Sequence, residues 1–341
     1  MQHPFKTTIF IVAILCSLSI FHASCQNSTA ASKPTSFTYD NVTINVNDQS
    51  LTFKHLRIYP VFAKDNLHEN EKDYGHFISL DSALKTEKLV VSEKSITGEN
   101  QDEVNKLFVE NNSQDTIILL AGEVVKGGKQ DRTLATDLIL PPGKGKKDID
   151  VFCVEHGRWE EKNQNVQVGK PMEEKKFKQS STALVKPSVR KNATVDKEQS
   201  KVWEKVDEVN QKANNQTTTS AYTSFDENIN YQKQEKEYLD FFQTHMPKNK
   251  RIVGVVAVSG NKVIGCDIFS THALFSNAWS KLLPSFVNEA IHDGSPVTIS
   301  NRDVTTYLDR LLQNEISQQE YLKQNGTLYK HDNKILHLTS Y

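Results

Sequence analysis

The chain has 341 residues, of which 37% are hydrophobic, and its charged side chains nearly cancel to a formal net charge of -1. That length suffices for one large or two ordinary domains with a sizeable core. Because the sequence has no basic excess and no basic stripe, it argues against a nucleic-acid partner.

The first 25 residues predict a signal peptide. Lys6 precedes an apolar run from Ile9 to Phe21, which has the length of a signal-peptide core and is too short to span a bilayer. The run leads into Ala23-Ser24-Cys25, which resembles a bacterial lipoprotein signal whose cysteine becomes lipidated. His22 stands where a leucine is usual, so cleavage by ordinary signal peptidase remains an alternative. We therefore expect an exported protein, either a periplasmic, outer-membrane or cell-surface lipoprotein held to the membrane by Cys25, or a secreted one.

The rest of the chain can be divided into regions that differ in amino-acid composition. Residues 26–36 are rich in Ser, Thr, Asn and Pro and predict a flexible tether. Residues 37–341 predict a single large α+β domain. Within it, residues 37–159 are β-rich, residues 160–194 read as a polar linker or flap because they have few apolar residues, and residues 195–341 mix helices with strands.

The β-rich part shows short stretches of alternating apolar and polar residues. Such stretches occupy Phe37 to Phe62, Leu89–Ser92, Glu103–Glu110 and Asp148–Glu155, and a short helix opens at Ser79. Alternation of this kind, bounded by turn residues, predicts strands. We expect an antiparallel sandwich or a barrel-like sheet.

A hairpin is centred on Gly127-Gly128, because a type I′ turn requires positive φ at both central residues. With those glycines as the turn, Glu123 lies directly opposite Arg132, and Gln130 joins them on a face with the apolar pattern of a core. A half-buried ion pair costs desolvation energy and is weak evidence for stability, which points to a functional site. The alternative is a cross-strand salt bridge at the rim of the sheet, worth roughly 0.2–1 kcal/mol.

Polar residues also follow the last strand of this part. Gly157 permits a sharp turn, and Arg158 and Trp159 come next, at a strand end where loops commonly carry function. A guanidinium beside an indole suits an anionic or planar group; alternatively, Trp159 plugs the core edge with Arg158 stacked on it. If Glu155 converges with Glu123, burial and like-charge repulsion would raise one pKa and permit acid–base catalysis.

The last part of the chain predicts helices and two further hairpins. The elements expected there are helices at Asp196–Ala213, Asp226–His245, Ala273–Ile291 and Asp303–Asn325, and strands at Ile252–Val258, Lys262–Phe269, Thr327–Lys330 and Lys334–Leu338. The strands flanking Gly260-Asn261 are almost continuously apolar, which predicts a buried central hairpin. Asp267 is expected to cap the helix that begins near Thr271, or alternatively to face a cleft.

The cysteine and histidine pattern gives little sign of metal or cofactor chemistry. Removal of the signal leaves Cys25, Cys153 and Cys266; the last two could pair in an oxidising compartment or remain buried free thiols. The sequence lacks the phosphate-loop, dinucleotide, serine-hydrolase and zinc-protease motifs. We therefore expect no metal and no cofactor.

The segments Ala121–Arg132 and Cys153–Trp159 together resemble the signature of the ADP-ribosylglycohydrolase (ARG) and rhodanese–phosphatase-superfamily-associated protein domain, and the resemblance covers roughly Phe62 to Ile291. That family is uncharacterised and is named for its genomic association with ADP-ribose-processing and phosphatase-like proteins. The polar positions of its motif fall here on Glu123, Lys126, Gln130, Arg132, Glu155, Arg158 and Trp159.

Two functions are compatible with these residues. The first is an exported, lipid-anchored protein of the cell envelope that binds an anionic small molecule or a partner through Lys126, Gln130, Arg132, Arg158 and Trp159. The alternative is an extracytoplasmic hydrolase of a phosphorylated or ADP-ribose- or sugar-containing substrate. In that case Glu123 or Glu155 would be the general base.

Overall fold

The computed structural model of the protein describes Met1 and residues 34–68, 74–93, 104–143, 145–157, 176–212 and 220–341. Residues Lys33–Tyr341 form one compact unit. Cys25 and the rest of the predicted signal peptide after Met1 lie outside the described residues, as do Arg158 and Trp159. Within the described ranges, no helix combines the length and the apolar character needed to cross a membrane.

The strands are, in chain order, β1 (Val42–Ile44), β2 (Thr52–Phe53), β3 (Leu56–Ala63), β4 (Phe77–Ser79), β5 (Leu89–Glu93), β6 (Lys106–Asn111), β7 (Thr116–Leu119), β8 (Val124–Gly127), β9 (Arg132–Leu134), β10 (Leu138–Leu140), β11 (Lys147–Cys153), β12 (Lys176–Ser180), β13 (Ile252–Ser259), β14 (Lys262–Phe269), β15 (Gly326–His331) and β16 (Lys334–Ser340). The α-helices are α1 (Asp65–His68), α2 (Leu80–Lys85), α3 (Pro187–Lys191), α4 (Gln199–Lys212), α5 (Ile229–His245), α6 (His272–His292), α7 (Asn301–Leu312) and α8 (Glu315–Asn325).

A seven-stranded antiparallel sheet joins the two ends of the domain. Its order is β1-β3-β13-β14-β16-β15, and β2 is paired with β3. Strands from the predicted β-rich part, 37–159, therefore belong to a sheet that also contains the last strands of the chain. Alternation identifies a strand but not its partner, so the sequence did not show that β3 pairs with β13.

Helices cover both faces of this sheet. On one face, α5 and α6 pack against buried residues such as Ile58, Val255 and Phe269. On the other, α7 and α8 pack against Tyr59, Val256 and others. The continuously apolar β13–β14 hairpin lies in the middle of the sheet, as predicted, because both of its faces are covered.

The other large element is a closed antiparallel barrel of the described strands, in the order β11-β6-β5-β12-β8-β9. This confirms the prediction of a barrel-like sheet. Apolar side chains fill its interior, among them Leu89, Val91, Leu107, Val109, Val125, Leu134, Ile149, Val151 and Phe177. A small sheet of β10, β7 and β4 packs beside it and shares this core through Ile117, Leu119 and Leu140.

Two predicted boundaries need correction. Residues 176–194, predicted as part of a polar linker or flap, contain barrel strand β12, helix α3 and a short π-helical turn, and most of their apolar residues are buried. Residues 160–175 lie outside the described residues. The single helix expected over Asp303–Asn325 is two helices, because the Asn314 side chain accepts a hydrogen bond from the N–H of Ser317 and starts α8 anew.

Candidate functional site

Arg132 and Cys153, one from each family-like segment, lie opposite each other on neighbouring strands at one end of the barrel. Three strands end or begin there with a polar residue that faces inward: Glu93 closes β5, Arg132 opens β9 and Cys153 closes β11. Each lies two positions from an apolar residue of the barrel core, so the side-chain period of two places it on the inner face. Together with Gln130, these residues are called the barrel mouth.

Arg132 is the central residue of the barrel mouth and is completely buried. Its Nη1 donates to Gln130 Oε1 at 3.2 Å. Its Nη2 lies 3.9 Å from Glu93 Oε1, which is beyond hydrogen-bond distance. Its Nε has no hydrogen-bond partner among the described residues. Because a guanidinium carries five N–H donors, this buried cation is only partly satisfied.

The loop between β8 and β9, residues 128–131, closes over the barrel mouth. Glu93 Oε1 accepts the N–H of Lys129 at 3.0 Å, and Asp131 Oδ1 accepts the N–H of Gly127 at 3.0 Å. Gly128 has a φ of +52°, and a Cβ atom there would lie 2.6 Å from Glu93 Oε1. Only glycine fits this approach without displacing the carboxylate.

The hairpin register differs from the prediction. Val124 lies opposite Thr133 and Val125 lies opposite Arg132, so the expected pairing of Glu123 with Arg132 is wrong. The connection comprises four residues rather than two, because the hydrogen bonds of Glu93 and Asp131 hold a wider loop. A Gly-Gly pair indicates a turn, but it does not reveal side chains that arrive from other strands.

Glu123 precedes β8 and turns away from the barrel mouth. Its Oε1 accepts a hydrogen bond from Lys281 Nζ at 2.5 Å, and its Oε2 accepts the N–H of Leu120 at 2.8 Å. Glu155 Oε2 accepts the N–H of Asp131 at 3.0 Å, in the loop at the opposite end of β8. The two carboxylates therefore lie at different places and do not form the acid–base pair that their convergence would have provided.

Lys126 lies on the outer side of the barrel, since its neighbour Val125 faces the barrel core. Its Nζ is 3.9 Å from Asp226 Oδ2. Burial raises the pKa of Asp226 to about 6, although the charge of Lys126 acts in the opposite direction. Lys126 and Arg132 were both predicted as binding residues, but Lys126 lies on the outer side of the barrel and Arg132 lies in the barrel mouth, so they do not form one site.

A second buried cluster, here called the charge quartet, links α3, β14, β16 and the β9–β10 connection. Arg190 Nη2 donates to Asp267 Oδ2 at 2.7 Å. His337 bridges two carboxylates, with Nε2 3.1 Å from Asp267 Oδ1 and Nδ1 2.6 Å from Asp137 Oδ2. Since each ring nitrogen faces a carboxylate oxygen, both must donate and the imidazole is positively charged.

The charge quartet also explains the pKa values of its members. Burial opposes the charge on His337, but Asp137 and Asp267 raise its pKa to about 9. Burial alone would raise the pKa of Asp267, but Arg190 and His337 lower it to about 2. The helix-capping role expected for Asp267 belongs instead to Thr271, whose Oγ1 accepts the N–H of Leu274 at 3.1 Å.

The two cysteines within the described residues are free and buried. They lie on different sheets, Cys153 in the barrel and Cys266 in the seven-stranded sheet, so they do not form the disulfide considered above. Burial raises the pKa of the Cys153 thiol even though Arg132 lies nearby. Across the described ranges, no group of three or more His, Cys, Asp or Glu side chains could hold a metal ion.

Sequence reasoning missed several of these residues. Glu93 follows the predicted strand Leu89–Ser92 by one position, so extending the alternation by a residue would have placed it on the core face. Lys281, Arg190 and His337 carry no such signal, because their partners are distant in the chain; Lys281 and Glu123 are 158 residues apart.

Comparison with known proteins gave one match. A family model described as the ARG and Rhodanese-Phosphatase-superfamily-associated Protein domain matches residues 46–338. No curated protein and no solved structure matches the chain. The match extends beyond the barrel to include most of the seven-stranded sheet.

Proposed function

We propose that this chain, which belongs to the family of the ARG and Rhodanese-Phosphatase-superfamily-associated Protein domain, binds an anionic small molecule at the barrel mouth. From its N-terminal sequence we further propose that it is an exported, lipid-anchored protein of the cell envelope. Arg132 is the proposed anchor of the anion, and Gln130 holds the guanidinium in place. Arg158 and Trp159 follow β11 in the sequence and are the remaining candidates for ligand binding.

The observation that carries this proposal is the incomplete pairing of Arg132. Its guanidinium is completely buried, yet it has one side-chain hydrogen bond and a carboxylate 3.9 Å away. Burying a charged group whose donors are not all hydrogen-bonded costs free energy, so such a group is more easily explained by a function than by stability. An oxygen of a phosphate or carboxylate would supply the missing acceptors, which a guanidinium binds in a bidentate manner.

Binding is favoured over hydrolysis by the surroundings of the two candidate bases. Glu123 accepts hydrogen bonds from Lys281 and from the Leu120 N–H. Glu155 accepts one from the Asp131 N–H and is completely buried. Each carboxylate therefore has a structural role. For this reason the extracytoplasmic hydrolase, with Glu123 or Glu155 as general base, is the second candidate function.

The binding proposal is tested by thermal unfolding with inorganic phosphate, ADP-ribose and a sugar phosphate. We expect at least one of these anions to raise the melting temperature of the wild-type protein. Arg132→Met should lose that increase. Arg57→Met is the matched control, because Arg57 is also buried but lies in the seven-stranded sheet, where it contacts Thr52 and Tyr59.

The proposal fails if none of the anions stabilises the wild type, or if Arg132→Met responds to them as the wild type does. A response lost equally in Arg132→Met and Arg57→Met would indicate general destabilisation instead of a binding site. Turnover of ADP-ribose or the sugar phosphate that disappears in Glu155→Gln would favour the hydrolase.

The location is tested separately by cell fractionation. We expect the wild type in the membrane fraction and Cys25→Ser in the soluble fraction, because that cysteine is the proposed lipid attachment site. Wild-type protein that is wholly soluble would rule out the lipid anchor.

A further inference from the structure

Glu93 and Arg132 meet across the barrel from opposite walls. Their strands, β5 and β9, are three positions apart in the closed order β11-β6-β5-β12-β8-β9, so each strand lies on the far side of the barrel from the other. Glu93 Oε1 nevertheless comes within 3.9 Å of Arg132 Nη2, and only 2% and 1% of the two side chains are exposed. The carboxylate is thus an anion of the protein itself, placed beside the guanidinium that the proposed function assigns to a ligand.

The spacing of this pair differs from that of the buried pair in the charge quartet. Arg190 and Asp267 are in hydrogen-bond contact at 2.7 Å, whereas Arg132 and Glu93 are 3.9 Å apart. Charge-assisted hydrogen bonds at close distance are the strong ones. Glu93 is therefore held less firmly by its guanidinium than Asp267 is, and an incoming anion can replace it at a lower cost in free energy.

The same carboxylate holds the loop that covers the barrel mouth. Glu93 Oε1 accepts the N–H of Lys129 at 3.0 Å. No barrel-mouth residue exposes more than 4% of its surface, so an external anion reaches Arg132 only if Glu93 or residues 128–131 move. The loop begins at Gly128, whose φ of +52° lies in a region that glycine adopts freely. Displacement of Glu93 would therefore free both the guanidinium and the loop.

Other charges surround the loop but occupy different positions. The Asp131 carboxylate accepts the N–H of Gly127, and the Glu155 carboxylate accepts the N–H of Asp131. Both add negative charge near the barrel mouth and oppose the entry of an anion. Glu93 differs from them because it lies against the Arg132 guanidinium, where it carries the same charge as the ligand and competes for the same cation.

We propose that Glu93 is an internal competitor of the ligand. An anion binds Arg132 by taking the place of the Glu93 carboxylate, and the loss of the hydrogen bond from Glu93 to Lys129 releases residues 128–131 from the barrel mouth. This inference rests on the proposed anion site and identifies Glu93 as the residue that sets its affinity.

The first test compares the affinities of the full-length wild type and of Glu93→Gln for inorganic phosphate and for ADP-ribose by isothermal titration calorimetry. Glutamine keeps an oxygen that can accept the Lys129 N–H but removes the negative charge. We expect the dissociation constant of at least one probe to fall at least about ten-fold, or 1.4 kcal/mol. Asp131→Asn is the matched control, because it removes the same charge from the loop and keeps an acceptor for the Gly127 N–H. Its effect should be much smaller.

The second test uses the wild type alone and so does not depend on the folding of Glu93→Gln. Amide hydrogen exchange is measured by NMR with and without a saturating probe. Ligand binding stabilises the folded state and ordinarily slows exchange. We expect the Lys129 amide instead to exchange several-fold faster when the anion is bound, because it loses its acceptor. The Ala121 amide, which donates to Asp137, should not exchange faster.

The inference is overturned if Glu93→Gln binds neither probe more tightly than the wild type does, or if Asp131→Asn gains as much affinity. It is also overturned if Lys129 is equally or better protected when a probe is bound. In these cases the anion site itself stands, provided that the wild type binds and Arg132→Met does not. Binding to neither protein overturns both proposals, and binding to Glu93→Gln alone supports the competition but removes the proposed function from the wild type.

Discussion

At the scale of single residues, the main feature is the number of charged side chains that are buried and paired across distant elements. Glu123 with Lys281, and Asp267 with both Arg190 and His337, are examples. Buried ion pairs are weak evidence for stability, because the loss of hydration offsets much of their attraction. Removing one partner is strongly destabilising, however, so these pairs specify how the barrel and the seven-stranded sheet fit together.

The charge quartet predicts a pH dependence of stability. The pKa of His337 is raised from 6.5 to about 9, so the folded state binds this proton more tightly than the unfolded state does. The resulting stabilisation is fully present below pH 6.5 and is lost as the pH rises through 9, with a total of about 3 kcal/mol. Urea unfolding between these pH values measures it.

Two variants identify the group responsible. His337→Gln should unfold more easily at pH 6.5 and lose the decline above it, because its side chain carries no titrating proton. His331→Gln removes a partly exposed histidine from β15 and should leave the decline unchanged. A decline that persists in His337→Gln would assign the effect to another group.

At the scale of elements, contacts with distant strands determine how a loop is held and whether a nearby side chain is available to cap a helix. Glu93 from β5 holds the loop between β8 and β9. The pairing of β8 with β9 is therefore shifted by two positions from the register that a Gly127-Gly128 turn would give. Helix α6 begins at its own cap, Thr271, while the nearby Asp267 is used for tertiary pairing.

The cap of α6 provides a direct test of this assignment. Thr271→Val keeps the shape of the side chain but removes the acceptor for the Leu274 N–H, and should lower the free energy of unfolding by about 1 kcal/mol. Thr306→Val is the control, since the Thr306 hydroxyl is exposed and bonds only within α7; a change within about 0.5 kcal/mol is expected. Equal losses in both variants would contradict the capping role. Chemical denaturation measures both.

At the scale of the whole molecule, strands from the first part of the domain pair with strands from its last part. β3 lies between β1 and β13, so strands near residue 60 pair with strands beyond residue 250. The barrel is inserted between them in sequence. Folding of the sheet therefore requires contacts of very large sequence separation, which form slowly because loop closure must precede them.

This topology predicts that neither half is independent. Residues 195–341 alone would leave the long apolar strand β13 without its partner β3, as an exposed sheet edge. We expect this fragment to aggregate or to lack a cooperative thermal transition, whereas the full chain unfolds cooperatively. Gel filtration and circular dichroism would show this. A monomeric fragment with a sharp transition would contradict it.

The sequence by itself determined the α+β class, the barrel-like sheet, the buried β13–β14 hairpin and the family, because these depend on periodicity, turn residues and motif spacing within short segments. The tertiary structure alone decided that Glu123 pairs with Lys281, that Arg132 lies opposite Val125, and that Asp267 binds Arg190 and His337. These partners are brought together by long-range strand pairing and packing. A local pattern shows which face a side chain occupies, but not which distant element will cover that face.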